Sequence, residues 1–443
     1  MIGNFNLKLP DEVEQIINIL NDNNHKAYIV GGCVRDSILN KQPKDWDIST
    51  SATIDEIKAI FNKTIDTGIK HGTVSVVIGD KVVEVTTFRT FDPNESKSLL
   101  TDLYHRDLTI NAMAYHPKEG LFDPYFGVED IKNAVIRAVG NPSDRFMEDP
   151  LRMLRAVRFS ATLGFDIDKS TLDAIKSNSH LINNVSQERI RDELTKILVS
   201  NQPFKLTILR ELHLLKHILP EFDVCFDISQ NHPYHVFNVA IHSLKAVSEI
   251  ENEISLRWAM LLHDTGKAVT KSTDEEGIDH FYGHPEKSVH IAKTVLERLK
   301  FDNKTIAKVC HLIKYHDKRI QPDIKSVRKA VSKIGEEHFT DLLKVQEADK
   351  KAQNPEFLNT SLADLNKIKE IYTQITVEKH CLSIKDLKIN GKDLIALGFQ
   401  QGKEIGHVLE KLLSAVLEKP ELNTYDDLIK LAKSFKNQKG EIL

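Results

Sequence analysis

Near residue 145 the chain changes character, and that change constrains its fold more than any other feature. Before it, short runs of β-branched residues alternate with helical stretches; after it, helical periodicity continues almost to the C-terminus. DEVEQIINILNDNNH sets Val13, Ile16, Ile17 and Leu20 at helical spacing. AYIV reads as a short buried strand that Gly31-Gly32 ends before the helical VRDSIL, and WDIST, HGTVSVVIG and KVVEVTTF are three further strands. The predicted class is α+β, a small head with a mixed sheet followed by an all-helical body. At 443 residues the chain exceeds one ordinary core. Plausible joints at NQPF, PEFD and QNPEF suggest a head (1–140), a helical neck (141–205), a helical body (206–370) and a helical tail (371–443).

A formal net charge of −4 excludes a protein that coats nucleic acid by bulk basicity, and leaves a local basic groove open. Cys33, Cys225, Cys310 and Cys381 are scattered with no CxxC pair, which predicts a reduced protein without a disulfide frame or structural zinc. No apolar run approaches membrane-spanning length and the first residues carry no leader pattern, so the expected location is cytoplasmic.

Asp45 and Asp47 flank Trp46 in KDWDIST. On a strand, residues two apart share a face, so the two carboxylates project together and repel unless a cation lies between them. A hard ion such as Mg²⁺, shared between carboxylates and substrate phosphates, suits that pair, and Glu84 in KVVEVTTF is a candidate third carboxylate. The Gly31-Gly32 turn lets backbone N–H groups approach phosphate oxygens, with Arg35 close behind. A triphosphate beside two metal-binding carboxylates is the arrangement of nucleotidyl transfer.

The runs GGCVRDSILNKQPKDWDIST, RDLTINAMAY and EDPLRMLRAVRF, in that order, resemble the bacterial-type (class II) CCA-adding enzyme and poly(A) polymerase family, and QERIRDEL at 187–194 resembles its next helical motif. The resemblance implies a polymerase-β-like head. By it, Asp45 and Asp47 hold the catalytic Mg²⁺, Gly31, Gly32, Arg35 and Arg106 meet the incoming nucleotide, and Asp107 and Asn111 match the ribose-side motif. One departure is visible: His105 stands where the motif usually opens with arginine. Asp149 and Arg152 are three apart, hence expected as surface neighbours on one helix. A carboxylate only accepts and a guanidinium only donates. The pair therefore suits the amine and ring nitrogen that cytosine and adenine both present, and mismatches uracil and guanine. The resemblance also places Arg155 and Arg158 at the nucleotide.

The body carries His242, His263-Asp264, His284, His316 and Asp349. The order H…HD…D resembles the HD superfamily of metal-dependent phosphohydrolases, with His242, His263, Asp264 and Asp349 at its ligand positions. Imidazole with carboxylate favours a divalent transition metal. The glycine-punctuated LKINGKDLIALGFQQGKEIG resembles the family's tRNA-facing tail. The expected reaction is addition of CCA to the tRNA 3′ end from CTP and ATP. Three alternatives stay open: a poly(A) polymerase, a phosphohydrolase acting on RNA ends, and an enzyme that stops after CC. The last rests on TFDPNESKSLLTDLYH (90–105), which reads as shorter than the mobile segment that full CCA addition is expected to need.

Overall fold

The computed structural model describes residues 7–69, 72–89 and 97–440. The chain divides into two compact units, residues 1–220 and 221–443.

The first unit opens with helix α1 (Asp11–Asp22), whose buried face is Val13, Ile16, Ile17 and Leu20. Burying each of these side chains contributes roughly 1.5–3 kcal/mol. Strand β1 (Ala27–Val30) is buried at all four positions, and α2 (Gly32–Ile38) follows it directly. Strands β2 (Asp47–Thr50), β3 (Thr64–Gly68), β4 (Thr73–Ile78) and β5 (Lys81–Thr87) come next, with helix α3 (Ile54–Ile60) between β2 and β3. Strands β6 (Ala114–His116) and β7 (Gly120–Phe122) complete a seven-stranded sheet in the order β3-β4-β5-β2-β1-β6-β7. The pair β2–β5 is parallel and the other pairs are antiparallel, so the sheet is mixed. Its register sets Asp47 beside Glu84.

The segment read as a short loop contains a helix, α4 (Leu99–Tyr104), whose cap Ser98 accepts from the Thr101 N–H. Residues 90–96 of that segment lie outside the described residues. Beyond the sheet, α5 (Gly127–Lys132) and α6 (Pro142–Glu148) precede α7 (Leu151–Leu163). Asn141 and Pro142 start α6 with a side-chain cap and a pre-set φ. Gly164, at φ +79°, ends α7 in the left-handed conformation that glycine adopts without strain. Helices α8 (Lys169–Asn178) and α9 (Gln187–Leu198) follow, and α9 packs on α7.

The second unit is helical apart from a two-stranded piece of two residues each, Ser272–Thr273 with Asp279–His280. That hairpin is a small addition to the helical body expected from the sequence. At the centre of the unit, the helix Ile254–Leu262 buries every residue from Ser255 to Leu262, as a helix apolar around most of its circumference must. The final residues form their own core around Leu394, Leu412, Val416 and Leu428.

Candidate functional site

A cavity of about 620 Å³ in the first unit is lined by Gly31, Gly32, Arg35, Asp45, Asp47, Arg89, His105, Arg106, Asp107, Asn111, Asp149, Arg152, Arg155, Arg158, Phe159 and Arg189. Seven guanidinium groups face four carboxylates there, so the wall suits a polyanion. Of the head residues read from sequence, Glu84 alone does not line it. It stands on an exposed position of β5, opposite Asp47 in the parallel register.

Strand geometry delivers Asp47 to the cavity from the first position of β2, with Asp45 exposed just before it. Burial pushes the Asp47 carboxyl above its ordinary range; Arg106 pulls it down, while Glu84 and Asp45 push it further up. That excess of negative charge is the donor chemistry a divalent cation fits. Gly31 sits at φ +80°, a conformation that strains any side chain, and a Cβ there would lie 2.8 Å from the Arg106 guanidinium, which would have to move aside. Arg106 is anchored through the fully buried Asp102, at 3.1 Å.

Asp107 accepts from Asn111 at 3.0 Å and from Arg155 at 2.7 Å, and Asn111 in turn accepts from Arg35 at 2.6 Å. Burial raises the Asp107 carboxyl, but Arg155 and Asn111 outweigh it and hold the group well below the usual carboxylate range. Arg35 and Arg158 lie over the Phe159 ring at 4.8 and 3.4 Å, and Arg158 donates to Glu193 of α9 at 2.8 Å.

Asp149 and Arg152 both reach the cavity, yet not as neighbours on one helix. Asp149 is the C-cap of α6, and α7 starts two residues later because Pro150 interrupts the helix between them. Asp149 accepts from Arg189 of α9 at 2.8 Å. Arg152 donates to Glu148 at 2.7 Å and to the His105 carbonyl at 2.7 Å. His105 fits this network in its own right, its Nδ1 lying 3.1 Å from Glu148 and 3.0 Å from Arg145. Sequence reasoning did not single out Arg89, Glu148, Phe159, Arg189 or Glu193. The i,i+4 spacing of Arg189 and Glu193 in QERIRDEL was the available signal.

The second unit brings together His242, His263, Asp264 and Asp349. His242 Nε2 lies 2.8 Å from Asp349 and 3.5 Å from Asp264, and His263 Nε2 lies 3.3 Å from both. Two cavities, of about 440 and 310 Å³, flank them. His284 and His316, left out of the ligand set above, also approach Asp264, at 3.4 and 3.6 Å. Among the described residues, groups of three or more ligand-type side chains close enough to grip one ion occur here and not in the head.

The Poly A polymerase head domain family matches residues 27–137, the RNA and SrmB- binding site of polymerase A matches 164–226, and tRNA nucleotidyltransferase domain 2 matches 273–432. The CCA-adding enzyme of Ligilactobacillus salivarius is 34% identical over 97% of this chain and 98% of its own length. That of Bacillus velezensis is 33% identical over 89% of this chain and 90% of its own. The crystal structure of the Bacillus stearothermophilus CCA-adding enzyme in complex with CTP superposes with a TM-score of 0.72 at 27% identity, covering 98% of each chain. With the mixed-sheet head, the helical body and likeness along the whole length, this chain belongs to the CCA-adding enzyme family.

Proposed function

We propose that the chain transfers CMP and then AMP from CTP and ATP to the 3′ end of tRNA, releasing pyrophosphate each time and using no nucleic-acid template. The observation that carries this reading is the single cavity that unites the Asp45–Asp47 pair, the arginine wall and the Asp149–Arg152 base readers. Asp45 and Asp47, with Glu84 as a neighbouring carboxylate, would hold Mg²⁺, which would supply activation of the attacking 3′-hydroxyl and stabilisation of the leaving pyrophosphate. Gly31 and Gly32 leave room for the phosphates, and Arg35, Arg106, Arg155 and Arg158 offset their charge. Asp107 and Asn111 hold Arg155 and Arg35 in place and face the ribose. Asp149 accepts the exocyclic amine of C or A, and Arg152, aimed by Glu148 and the His105 carbonyl, donates to the ring nitrogen. The reaction belongs to the cytoplasm, where tRNA is repaired, and no helix among the described residues is long and apolar enough to cross a membrane.

The test offers tRNA lacking CCA with CTP alone, ATP alone and both, and sequences the products. Ordered CCA is expected; a tail of A from ATP alone would make the chain a poly(A) polymerase. A second arm, tRNA ending in CC with ATP, separates full CCA from CC addition. Efficient A addition at low enzyme is expected, in line with relatives named as CCA-adding enzymes.

A second reading concerns the other unit: His242, His263, Asp264 and Asp349 hold a divalent transition metal for phosphoester hydrolysis at RNA ends. The approach of two imidazoles to two carboxylates beside open cavities supports it. Changing His263→Ala with Asp264→Ala is expected to remove bound transition metal and phosphoesterase activity, with C addition within about twofold of normal, since a factor of two is only ~0.4 kcal/mol. Loss of C addition in a still-folded double variant would overturn the independence of the two sites.

A further inference from the structure

Choosing cytosine over uracil requires Arg152 to hold still. Uracil carries an N–H where cytosine has a bare ring nitrogen, so a fixed guanidinium sets donor against donor. A guanidinium free to swing aside escapes that clash, and the discrimination goes with it. Three of the five N–H groups of Arg152 are taken up in holding it. Nη1 donates to Glu148 at 2.7 Å and to the Arg145 carbonyl at 3.2 Å, and Nη2 donates to the His105 carbonyl at 2.7 Å. The Nε N–H and one N–H on Nη2 are left for the cavity.

The charge-assisted bond to Glu148 Oε2 is the strongest of these, and Glu148 is itself placed through its other oxygen. Arg145 Nη2 lies 2.6 Å from Oε1, and His105 Nδ1 lies 3.1 Å from the same atom. Arg145 Nη1 closes the set, 3.0 Å from His105 Nδ1, while donating to the Tyr104 carbonyl at 2.9 Å. His105 Nδ1 thus stands at a fork between an acceptor and a donor. Bearing hydrogen, it donates to Glu148; without one, it accepts from Arg145. Either way the ring is tied to the ion pair that fixes Glu148, and through Glu148 to Arg152. The surroundings are closed: His105, Arg145 and Arg152 are 4%, 3% and 7% exposed. The Tyr104 ring lies 4.4 Å from the Arg145 guanidinium and stands edge-on to the His105 ring at 5.3 Å. An apolar side chain would meet the packing there, and only the ring nitrogen reaches the ion pair.

We propose that His105 is a positioning residue for base selection: its carbonyl holds Arg152 directly, and its ring holds Arg152 through Glu148. This rests on the reading of Asp149 and Arg152 as the base readers and adds the residue that keeps that reading strict. Strictness is separable from rate. A loosened Arg152 still meets the ring nitrogen of cytosine, but it no longer forces the clash with uracil. Loss of the tether therefore shows as a gain in UTP use more than as a loss in CTP use. His105 is also where the chain departs from the arginine that usually opens this motif, so an imidazole that can serve either side of the fork is a feature of this chain.

The experiment measures kcat/KM for CTP and for UTP on tRNA lacking CCA, with the full chain throughout. His105→Leu and His105→Phe fill the space without a ring nitrogen, and either folded variant serves. His105→Asn sets near the Nδ1 position an amide that can accept from Arg145 or donate to Glu148. The Leu and Phe variants are expected to lower the CTP-to-UTP ratio by about three- to tenfold, a part of what one mismatched buried contact is worth. The Asn variant should keep the ratio within about twofold. His105→Leu should lower it no further in a chain that already carries Glu148→Gln. The parent ratio in a folded Leu or Phe variant overturns the proposal, even where both rates or the melting temperature fall, because that is what a merely structural role gives. An Asn variant that behaves like Leu also overturns it, and effects of His105→Leu and Glu148→Gln that multiply in full overturn the route through Glu148. Arg152→Ala separates this from the reading beneath it. If that variant keeps the full ratio, Arg152 is not a base reader; if it loses the ratio while the Leu and Phe variants keep it, the role of His105 alone is overturned.

Discussion

The head cavity and the histidine centre are both dense collections of charge, yet their imbalance runs in opposite directions. The head sets seven guanidinium groups against four carboxylates, two of them the Asp45–Asp47 pair. The centre in the helical unit brings four imidazole Nε2 atoms within 2.8–3.6 Å of two carboxylates. The first is an arginine-rich wall of a kind that suits a polyanion, and the second is a close group of ligand-type side chains. The ligands differ accordingly in where they come from. Head side chains are held largely by other side chains across the fold, whereas three of the four imidazoles meet the carbonyl three residues before their own. A centre with local anchors is expected to keep its shape without ions, and a cavity of interlocked ion pairs is expected to rearrange when a nucleotide enters.

The sharpest break of this comparison falls at the anionic end of the head. Asp45→Ala or Asp47→Ala is expected to lower nucleotide addition by roughly 10³-fold or more, the rate equivalent of losing several kcal/mol of charge stabilisation. Both positions are incompletely buried, so the melting temperature and tRNA binding should stay near normal. Single-turnover CMP addition measures it, and rates within a few-fold of the parent in both variants would remove these carboxylates from the chemistry.

Next in size is base choice. Asp149→Ala deletes the acceptor for the exocyclic amine, and one mismatched buried polar contact is worth ~1–3 kcal/mol, or about 5- to 150-fold. The ratio of kcat/KM for CTP over UTP should fall by that range, with CTP use itself weakened. A variant that loses rate while keeping the full CTP preference would assign the reading of bases elsewhere.

How much of this was legible in the sequence depends on how far apart the partners lie. Strand periodicity led to Asp45 and Asp47 being expected on one face, but the strand begins at Asp47 and Asp45 lies in the bend before it, so both line the cavity without sharing a strand. Strands β1, β2, β4 and β5 were visible as β-branched runs, and the α+β class followed from them. Strands β6 and β7 are three residues each, too short for alternation to register, and β3 (TIDTG) is mostly polar. The break between α6 and α7 was signalled by Pro150, but it was read as a continuous helix. Arg152 has a local partner in Glu148, but Arg189 beside Asp149 and the His105 carbonyl beside Arg152 are 40 and 47 residues away, and only packing brings them in. Likewise His284 and His316 begin and end separate helices, so their approach to Asp264 is a property of the fold.

The smallest expected effect concerns Arg189, and it tests whether the head cavity does rearrange. In the structure Arg189 donates to both oxygens of Asp149, at 3.3 and 2.8 Å, and so occupies the acceptor that an incoming amine needs. The pair is well solvated, with the Arg189 and Asp149 side chains 51% and 29% exposed. Such ion pairs are worth only ~0.2–1 kcal/mol, so a base can displace the guanidinium at little expense. If Arg189 does no more than occupy Asp149, Arg189→Ala should lower the KM for CTP by up to about fivefold, the equivalent of 1 kcal/mol, and leave kcat unchanged. If Arg189 instead swings onto the triphosphate when Asp149 takes the base, KM should rise, because a phosphate contact is lost along with the competitor. Steady-state kinetics with CTP on tRNA lacking CCA separates the two by the sign of the change. A rise in KM would mean that the arginine wall is one guanidinium larger in the loaded state than at rest. An unchanged KM would mean that Arg189 leaves Asp149 before the nucleotide arrives, and would remove the competition between them.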